Sequence, residues 1–169
     1  MSKITIMLVA IISLTVSLVK APMPFSAYTL EERAAMASMS VEEFEFISSV
    51  VEAESNRTTE STEGRRYIAL CILCRVRDNR FPDTITGVLT QSGQFSTVRN
   101  GHSVTNRTNM SDRAVIEAVN WMRSGADYPW VLYFNCRGYN NGTPYGCIGG
   151  NYFMTVTPNI DKDLFIKEV

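Results

Sequence analysis

The chain has 169 residues, of which 45% are hydrophobic and 20% are charged, and its net charge is -1 at pH 7. This length accommodates one domain with a sizeable core, and the composition disfavours intrinsic disorder and long coiled coils. The balanced charge lacks the basic excess that is typical of nucleic-acid-binding proteins, so we expect neither DNA nor RNA as a partner.

The first residues have the pattern of an export signal. Lys3 is followed by an uncharged run over residues 4–19 and then by Lys20 and Ala21. The run is short for a membrane-spanning helix, which needs about 20 apolar residues, and Ala21 suits cleavage by a signal peptidase. We therefore expect residues 1–21 to be a signal peptide, with an uncleaved signal anchor as the alternative. Residues 22–39 are expected to be a linker and residues 40–169 the folded domain, with membrane contact only through the N-terminal segment.

Two helices separated by a polar loop are predicted in the first half of the domain. Ser40 and Glu43 form a capping box that starts the first helix, and the apolar residues behind it recur at helical spacing up to Glu52. Residues 54–64 contain no apolar side chain and predict a loop. The run 67–74 is apolar on all sides, which indicates a buried central helix.

Further along, Asp83 or Thr84 can cap a short helix, and residues 90–110 are polar enough to predict a long ordered loop. Ser111 is expected to cap an amphipathic helix over residues 112–124, which Gly125 ends.

The last third of the chain changes from helical to strand-like patterns. Residues 130–134 and 152–156 are short β-rich runs, and the segment 135–150 between them is rich in turn residues. We expect these runs to form a small antiparallel pair. The fold class predicted from the sequence is therefore α+β and mainly α, with a small antiparallel β element in the C-terminal third.

The four cysteines favour structural roles. Cys136 and Cys147 flank a turn-rich loop, so in an oxidising compartment we expect a disulfide between them. Cys71 and Cys74 lie within the predicted central helix, where burial as small apolar residues is expected. The spacing does not fit a four-cysteine zinc site, and His102 is the only histidine available to a thiol or serine hydrolase. We therefore expect no metal and no thiol chemistry.

A series of short motifs runs along the chain in a recognisable order. They are Val51-Glu52-Ala53, Glu60-Ser-Thr-Glu-Gly64, the helix 68–76 ending in Arg75-Val76, Arg80-Phe-Pro82, Gly87-Val88, Gly93-Gln-Phe-Ser96, Val98-Arg99, Leu132-Tyr-Phe134 with Asn135, and Ile148-Gly149 with Phe153. Across about residues 46–154 this series resembles the SleB/CwlJ-type cell wall hydrolases. No single motif is specific, but the ordered series is hard to reach by chance.

The resemblance implies a lysozyme-like, mainly helical domain that acts on peptidoglycan without a cofactor. Glu52 corresponds to the glutamate of the family's Glu-Ala motif, and Glu60 and Glu63 match further family positions. The chain departs from the family in three places. About four residues are inserted between residues 53 and 60, Cys74 replaces a common asparagine, and Asn151 replaces a common histidine.

The expected chemistry is cleavage between N-acetylmuramic acid and N-acetylglucosamine, with Glu52 as general acid and then base. Cleaving a glycosidic bond requires a proton on the leaving oxygen, and we expect apolar neighbours to keep Glu52 protonated near neutral pH. The resemblance implies a lytic transglycosylase, which releases 1,6-anhydro ends, whereas attack by water would make the enzyme a muramidase.

Residues that contact the sugar are expected to follow in the later loops. The candidates for substrate binding are Glu60, Glu63, Gln94, Ser96, Tyr133 and Asn135. We expect an exported monomer of the periplasm or cell wall, which could act as a phage endolysin or in spore germination or wall remodelling. The alternative is an inactive peptidoglycan-binding or virion-associated module of the same fold.

Overall fold

The computed structural model describes residues 23–55, 62–103 and 105–160. The predictions made for the export signal and for Glu60 lie outside these ranges. A short 3-10 helix, Phe25–Ala27, precedes the main elements. The helices are α1 (Leu30–Met36), α2 (Val41–Glu54), α3 (Thr62–Arg77), α4 (Ile85–Thr90) and α5 (Asn109–Arg123), and the strands are β1 (Val98–Arg99), β2 (His102–Ser103), β3 (Val131–Asn135), β4 (Thr143–Ile148) and β5 (Asn151–Thr155).

Helix α3 lies at the centre of the fold, as the sequence predicts. Every residue from Tyr67 to Val76 is buried, and helices α2, α4 and α5 and strand β3 all pack against α3. A helix that is apolar on all sides is stable only when it is covered on all sides. Cys71 and Cys74 belong to this core, and burial raises the pKa of each thiol, which keeps both of them protonated.

The sequence predicts Ser40 as the N-cap of α2 and Ser111 as the N-cap of α5. The capping box of Ser40 and Glu43 at the start of α2 is confirmed. Helix α5 begins earlier than predicted, because Thr108 is its N-cap and exchanges hydrogen bonds with Ser111 in a capping box of its own. The prediction of Ser111 as the cap is therefore wrong. Gly125 follows the helix at a φ of 70°, in agreement with the sequence.

The C-terminal sheet contains the predicted antiparallel pair, β3 with β5, and one additional strand. Strand β4 pairs with the other side of β5, which gives the order β3-β5-β4. The sequence pattern does not reveal β4 because Pro144 and Gly146 interrupt it. Both residues are tolerated because β4 is an edge strand whose register shifts between them.

The predicted loop over residues 90–110 also contains a small hairpin, in which β1 pairs with β2. Its turn is formed by Asn100 and Gly101, which have φ angles of 52° and 79°. Asn-Gly is a strong signal for a two-residue hairpin turn, so this element was detectable in the sequence.

The segment predicted to be a linker is part of the packed domain. Ala34 and Ala37 are buried, and the Nη1 atom of Arg33 donates to the Oδ2 atom of the buried Asp112 at 2.7 Å. A buried ion pair of this kind fixes α1 against α5.

Among the described residues, no helix has the length and apolar character that crossing a bilayer requires.

Asp78 joins the end of α3 to the C-terminal segment. Its fully buried carboxylate accepts hydrogen bonds from Arg80, the Trp130 indole and the backbone amide of Asn159. Burial by itself raises the pKa of this carboxyl, but these hydrogen bonds outweigh it and lower the pKa to about 2 from an ordinary value of 3.8. The carboxylate is therefore ionised at neutral pH.

We expect Asp78 to make the free energy of unfolding depend on pH in the acid range. Because its folded pKa lies below the unfolded value, its contribution of about 2 kcal/mol is present above pH 4 and is lost as the pH falls toward 2. Unfolding in denaturant followed by circular dichroism between pH 2 and 7 should show this loss, and Asp78→Asn should remove it. Asp127→Asn, at an exposed aspartate, is the matched control. An unchanged pH dependence in Asp78→Asn would contradict the assignment.

Candidate active site

Glu52 lies in the last turn of α2, and its side chain faces α3 and the start of α5. Its carboxylate accepts two hydrogen bonds from the Arg65 guanidinium, from Nε at 2.9 Å and from Nη2 at 2.8 Å. The Thr108 hydroxyl donates a third at 2.7 Å. Glu52 is 8% exposed and Arg65 is 5% exposed, so the two side chains form a buried ion pair.

These neighbours correct the expected surroundings of the carboxylate. Val50 and Val51 are buried behind Glu52, but the groups that contact its oxygens are a cation and a hydroxyl rather than apolar side chains. Charge-assisted bonds from a guanidinium favour the ionised form of a carboxylate. These bonds favour the anion in the resting structure, and the role of Glu52 as a proton donor stays a prediction.

The end of α2 is fixed by polar groups from other elements. The Ser55 hydroxyl donates to the carbonyl of Glu52 at 2.7 Å, and the Asn151 amide donates to the carbonyl of Glu54 at 3.4 Å. The last carbonyls of a helix have no partner within the helix, so these bonds satisfy them. Asn151, at the start of β5, thereby ties the sheet to the helix that carries Glu52.

A close approach of two glycines sets the position of Arg65. A Cβ atom on Gly64 would lie 2.9 Å from the Cα of Gly149, in the turn between β4 and β5. Only a residue without a side chain lets the first turn of α3 contact that turn so closely. The two glycines belong to motifs that are far apart in the sequence, and their contact places Arg65 opposite Glu52.

A polar groove of about 480 Å³ adjoins the end of α2. Its walls come from the end of α2, the loop after α4, α3 and the sheet. The lining residues are Ala53, Glu54, Arg75, Gln94, Ser96, Thr97, Phe134, Asn135, Cys136, Arg137 and Asn151.

Three of the predicted substrate-binding residues meet in this groove: Gln94, Ser96 and Asn135. The Gln94 side-chain oxygen accepts from the Arg75 guanidinium at 3.0 Å, which leaves its amide nitrogen available to a ligand. The Asn135 side-chain oxygen accepts from the backbone amide of Arg137 at 2.7 Å. Both amides are therefore oriented by the protein itself.

Two other predicted substrate-binding residues, Tyr133 and Glu63, do not line this groove. Tyr133 is half-buried against the Phe81 ring and the Arg75 guanidinium. Glu63 has a 60% exposed side chain that lies 3.7 Å from Arg66. Glu60 lies outside the described residues.

The groove contains one carboxylate, Glu54, which the sequence placed at the start of a loop. Glu54 is the last residue of α2, and its Oε1 atom accepts a hydrogen bond from the Thr97 hydroxyl at 2.6 Å. Because the residues from 54 onward are polar, the sequence pattern did not show that Glu54 still belongs to α2.

The structure contains no disulfide between Cys136 and Cys147, which are both exposed free thiols. Cys147 pairs with Tyr152, which pairs on its other side with Asn135, so β5 separates the two cysteines. Two strand spacings put Asn135, the residue before Cys136, about 10 Å from Cys147, and a disulfide spans at most about 7 Å between Cα atoms. Within the described ranges, no three His, Cys, Asp or Glu side chains converge on a possible metal position.

The comparisons with known proteins agree with the fold. A family model described as cell wall hydrolase matches residues 59–153, more than half of the chain. The protein therefore belongs to the cell wall hydrolase family, which supports a hydrolase that acts on peptidoglycan. The matched span begins after Glu52, so the family match does not itself identify this carboxylate.

A solved structure with the same fold is the catalytic domain of the Bacillus cereus SleB protein. The two chains are 24% identical with a TM-score of 0.57, and the alignment covers 69% of this chain and 91% of that chain. This likeness confirms the predicted lysozyme-like α+β fold, and together with the family match it confirms the SleB/CwlJ-type resemblance. No curated protein matches the sequence.

We expect Gly64→Ala to destabilise the domain although alanine favours helices. The added methyl group overlaps Gly149, and overpacking of this kind costs about 1 to 3 kcal/mol. The thermal midpoint should fall, and activity should fall with it because Arg65 is displaced. Gly146→Ala is the control, because its Cβ would have 4.0 Å to the nearest atom, in Ile148. Equal midpoints for the two variants would contradict the close approach.

A thiol titration tests the absence of the disulfide. In the purified protein without reductant, we expect Cys136 and Cys147 to react rapidly with an aromatic disulfide reagent and the two buried cysteines to react only after unfolding. Reductant should leave the thermal midpoint unchanged. Recovery of only two thiols from the unfolded chain would instead show that a bridge had formed.

Proposed function

We propose that the protein cleaves the glycan strand of peptidoglycan between N-acetylmuramic acid and N-acetylglucosamine, with Glu52 as the central carboxylate. The observation that carries the proposal is a nearly buried glutamate, held by Arg65 and Thr108 at the end of a helix beside a polar groove. The family membership supports the substrate class. Residues 1–21, acting as an export signal, would deliver the domain formed by the remaining chain to the wall.

The groove suits a sugar chain. Gln94, Ser96 and Asn135 offer amides and a hydroxyl, the groups that hydrogen-bond hydroxyl and acetamido substituents. Phe134 adds an apolar surface at the same wall. A volume of about 480 Å³ falls in the usual range for a ligand site.

The two hydrogen bonds from Arg65 to Glu52 favour the basic half of the proposed reaction. In a lytic transglycosylation the substrate's acetamido group assists at the sugar carbon, and the C6 hydroxyl then attacks that carbon and loses a proton. A carboxylate anion can accept this proton and stabilise the positive charge that develops on the sugar. The same carboxylate activating a water molecule would give a muramidase. For Glu52 also to supply the first proton, its bonds with Arg65 would have to break.

The decisive variant is Glu52→Gln, which keeps the shape and can still accept from Arg65. General acid–base catalysis contributes about 100- to 10,000-fold, so we expect digestion of purified peptidoglycan sacculi to fall by at least about 100-fold. Glu42→Gln, at an exposed glutamate on the same helix, should digest as the wild type does. Sacculus binding and thermal midpoints should be measured in parallel to show that both variants are folded.

Analysis of the products distinguishes a lytic transglycosylase, a muramidase and an inactive binding module. Mass spectrometry of wild-type digests should show 1,6-anhydro ends, whereas reducing ends would identify a muramidase. Wild-type protein that binds sacculi and releases no fragments would establish the inactive binding module instead. Full digestion by Glu52→Gln would remove Glu52 from the catalytic mechanism.

A further inference from the structure

We propose that a second groove, beside Glu52 and on the opposite side from Gln94, binds further N-acetylated sugar units of the same glycan strand. This inference rests on the proposed glycan cleavage. The second groove is a cavity of about 450 Å³ whose walls include Ser49 of α2 and Asn106 and Thr108 from the segment before α5. Its volume falls in the usual range for a ligand site.

Two walls of the second groove adjoin Glu52. Thr108 is exposed on one wall, and its hydroxyl donates to the Glu52 carboxylate at 2.7 Å. Ser49 precedes Glu52 by three positions in α2, and residues at this spacing lie on the same face of a helix with Cβ atoms about 5 to 6 Å apart. A ligand that contacts Ser49 or Thr108 therefore lies next to Glu52.

The same face of α2 connects the second groove with the groove that holds Gln94. Ala53 lines the groove of Gln94, whereas Ser49 lines the second groove. Residues four apart share a helix face and are separated by about 6 Å along the axis. Glu52 comes between them, so a glycan strand that follows this face passes from one groove to the other beside the Glu52 carboxylate.

The hydroxyl of Ser49 is the observation that points to a ligand. Ser49 is 8% exposed, its side chain lines the second groove, and no residue in the described ranges forms a hydrogen bond with its hydroxyl. Buried polar side chains in folded proteins are nearly always hydrogen-bonded. A buried hydroxyl that faces a groove without a partner is therefore suited to a hydrogen bond with a bound molecule.

The other polar groups of the second groove suit an N-acetylated sugar. Asn106 is exposed on its wall. The Asn109 side-chain oxygen accepts from Arg33 Nη1 at 2.7 Å, which leaves the amide nitrogen of Asn109 available. Amides and hydroxyls both donate and accept, so together they can bind the hydroxyl and acetamido groups of a sugar unit.

The charges of the second groove favour an uncharged sugar over a charged stem peptide. Arg33 and Arg107 both contact the buried carboxylate of Asp112, and Arg107 also lies 3.9 Å from Glu45. Two guanidinium groups thus face two carboxylates, and the groove has no net charge. A charged ligand would have to compete with these pairs for a partner, whereas a neutral sugar leaves them intact.

Removal of the Ser49 hydroxyl tests the site with little disturbance of the fold. On an octasaccharide of peptidoglycan with its stem peptides in place, we expect Ser49→Ala to raise KM by about two- to tenfold, the effect of one lost hydrogen bond. The value of kcat should stay near that of the wild type, because a contact made equally before and during the reaction affects KM alone.

Ser48→Ala is the matched control. Ser48 is the preceding residue, its hydroxyl is fully buried and also lacks a partner, and it lines neither groove. We expect wild-type KM and kcat for this variant.

A second variant fills the groove from its exposed wall. Asn106→Trp places a bulky ring where the sugar would lie, so KM should rise further than in Ser49→Ala. The bonds that are cut along an end-labelled octasaccharide should also shift toward one end, as mass spectrometry of the products can show. Asn120→Trp, at an exposed asparagine of α5 outside both grooves, should change neither quantity. Thermal midpoints of all variants show that they are folded.

The outcomes separate this inference from the proposed function. Wild-type KM and cleavage positions in Asn106→Trp would overturn the second groove while leaving glycan cleavage intact. Equal KM values for Ser49→Ala and Ser48→Ala, or a fall in kcat alone, would also overturn it. Failure of the wild type to cleave any glycan would refute the proposed function, and the second groove with it.

Discussion

The ion pair between Glu52 and Arg65 is the constraint on which the site depends. Removing two charges from water costs several kcal/mol for each ion, and only good geometry with additional hydrogen bonds offsets that cost. The two-pronged contact and the third bond from Thr108 supply this geometry. Because the three residues come from α2, α3 and the N-cap of α5, these contacts fix the three helices relative to one another.

Helix α3 carries a second buried arginine, Arg75, which holds the far wall of the groove. Arg65 and Arg75 are both buried on this helix, and ten residues of helix separate them by about 15 Å. Arg65 holds the end of α2, whereas Arg75 holds the carbonyl of Leu132 in β3 and the side chain of Gln94. A rigid apolar helix with one arginine near each end therefore aligns both walls of the groove.

Much of the fold was predictable because its signals are local. The capping box at Ser40 and the apolar run of α3 depend on residues within a few positions of one another, and both are confirmed. The partner of Glu52 was not predictable, since Arg65 reaches it only through the packing of α3 on α2. Strand β4 was missed for a different reason. Pro144 breaks the strand pattern, and only the pairing with β5 shows that an edge position tolerates it.

The buried arginine also bears on the proton transfers of the proposed reaction. The Arg65 guanidinium donates two hydrogen bonds to the Glu52 carboxylate, and charge-assisted bonds of this kind favour the ionised form of a carboxyl group. Each time Glu52 gives up a proton in the proposed cycle, it returns to the charge state that these bonds stabilise. The pair therefore favours the return of the carboxylate to its resting form after each turnover.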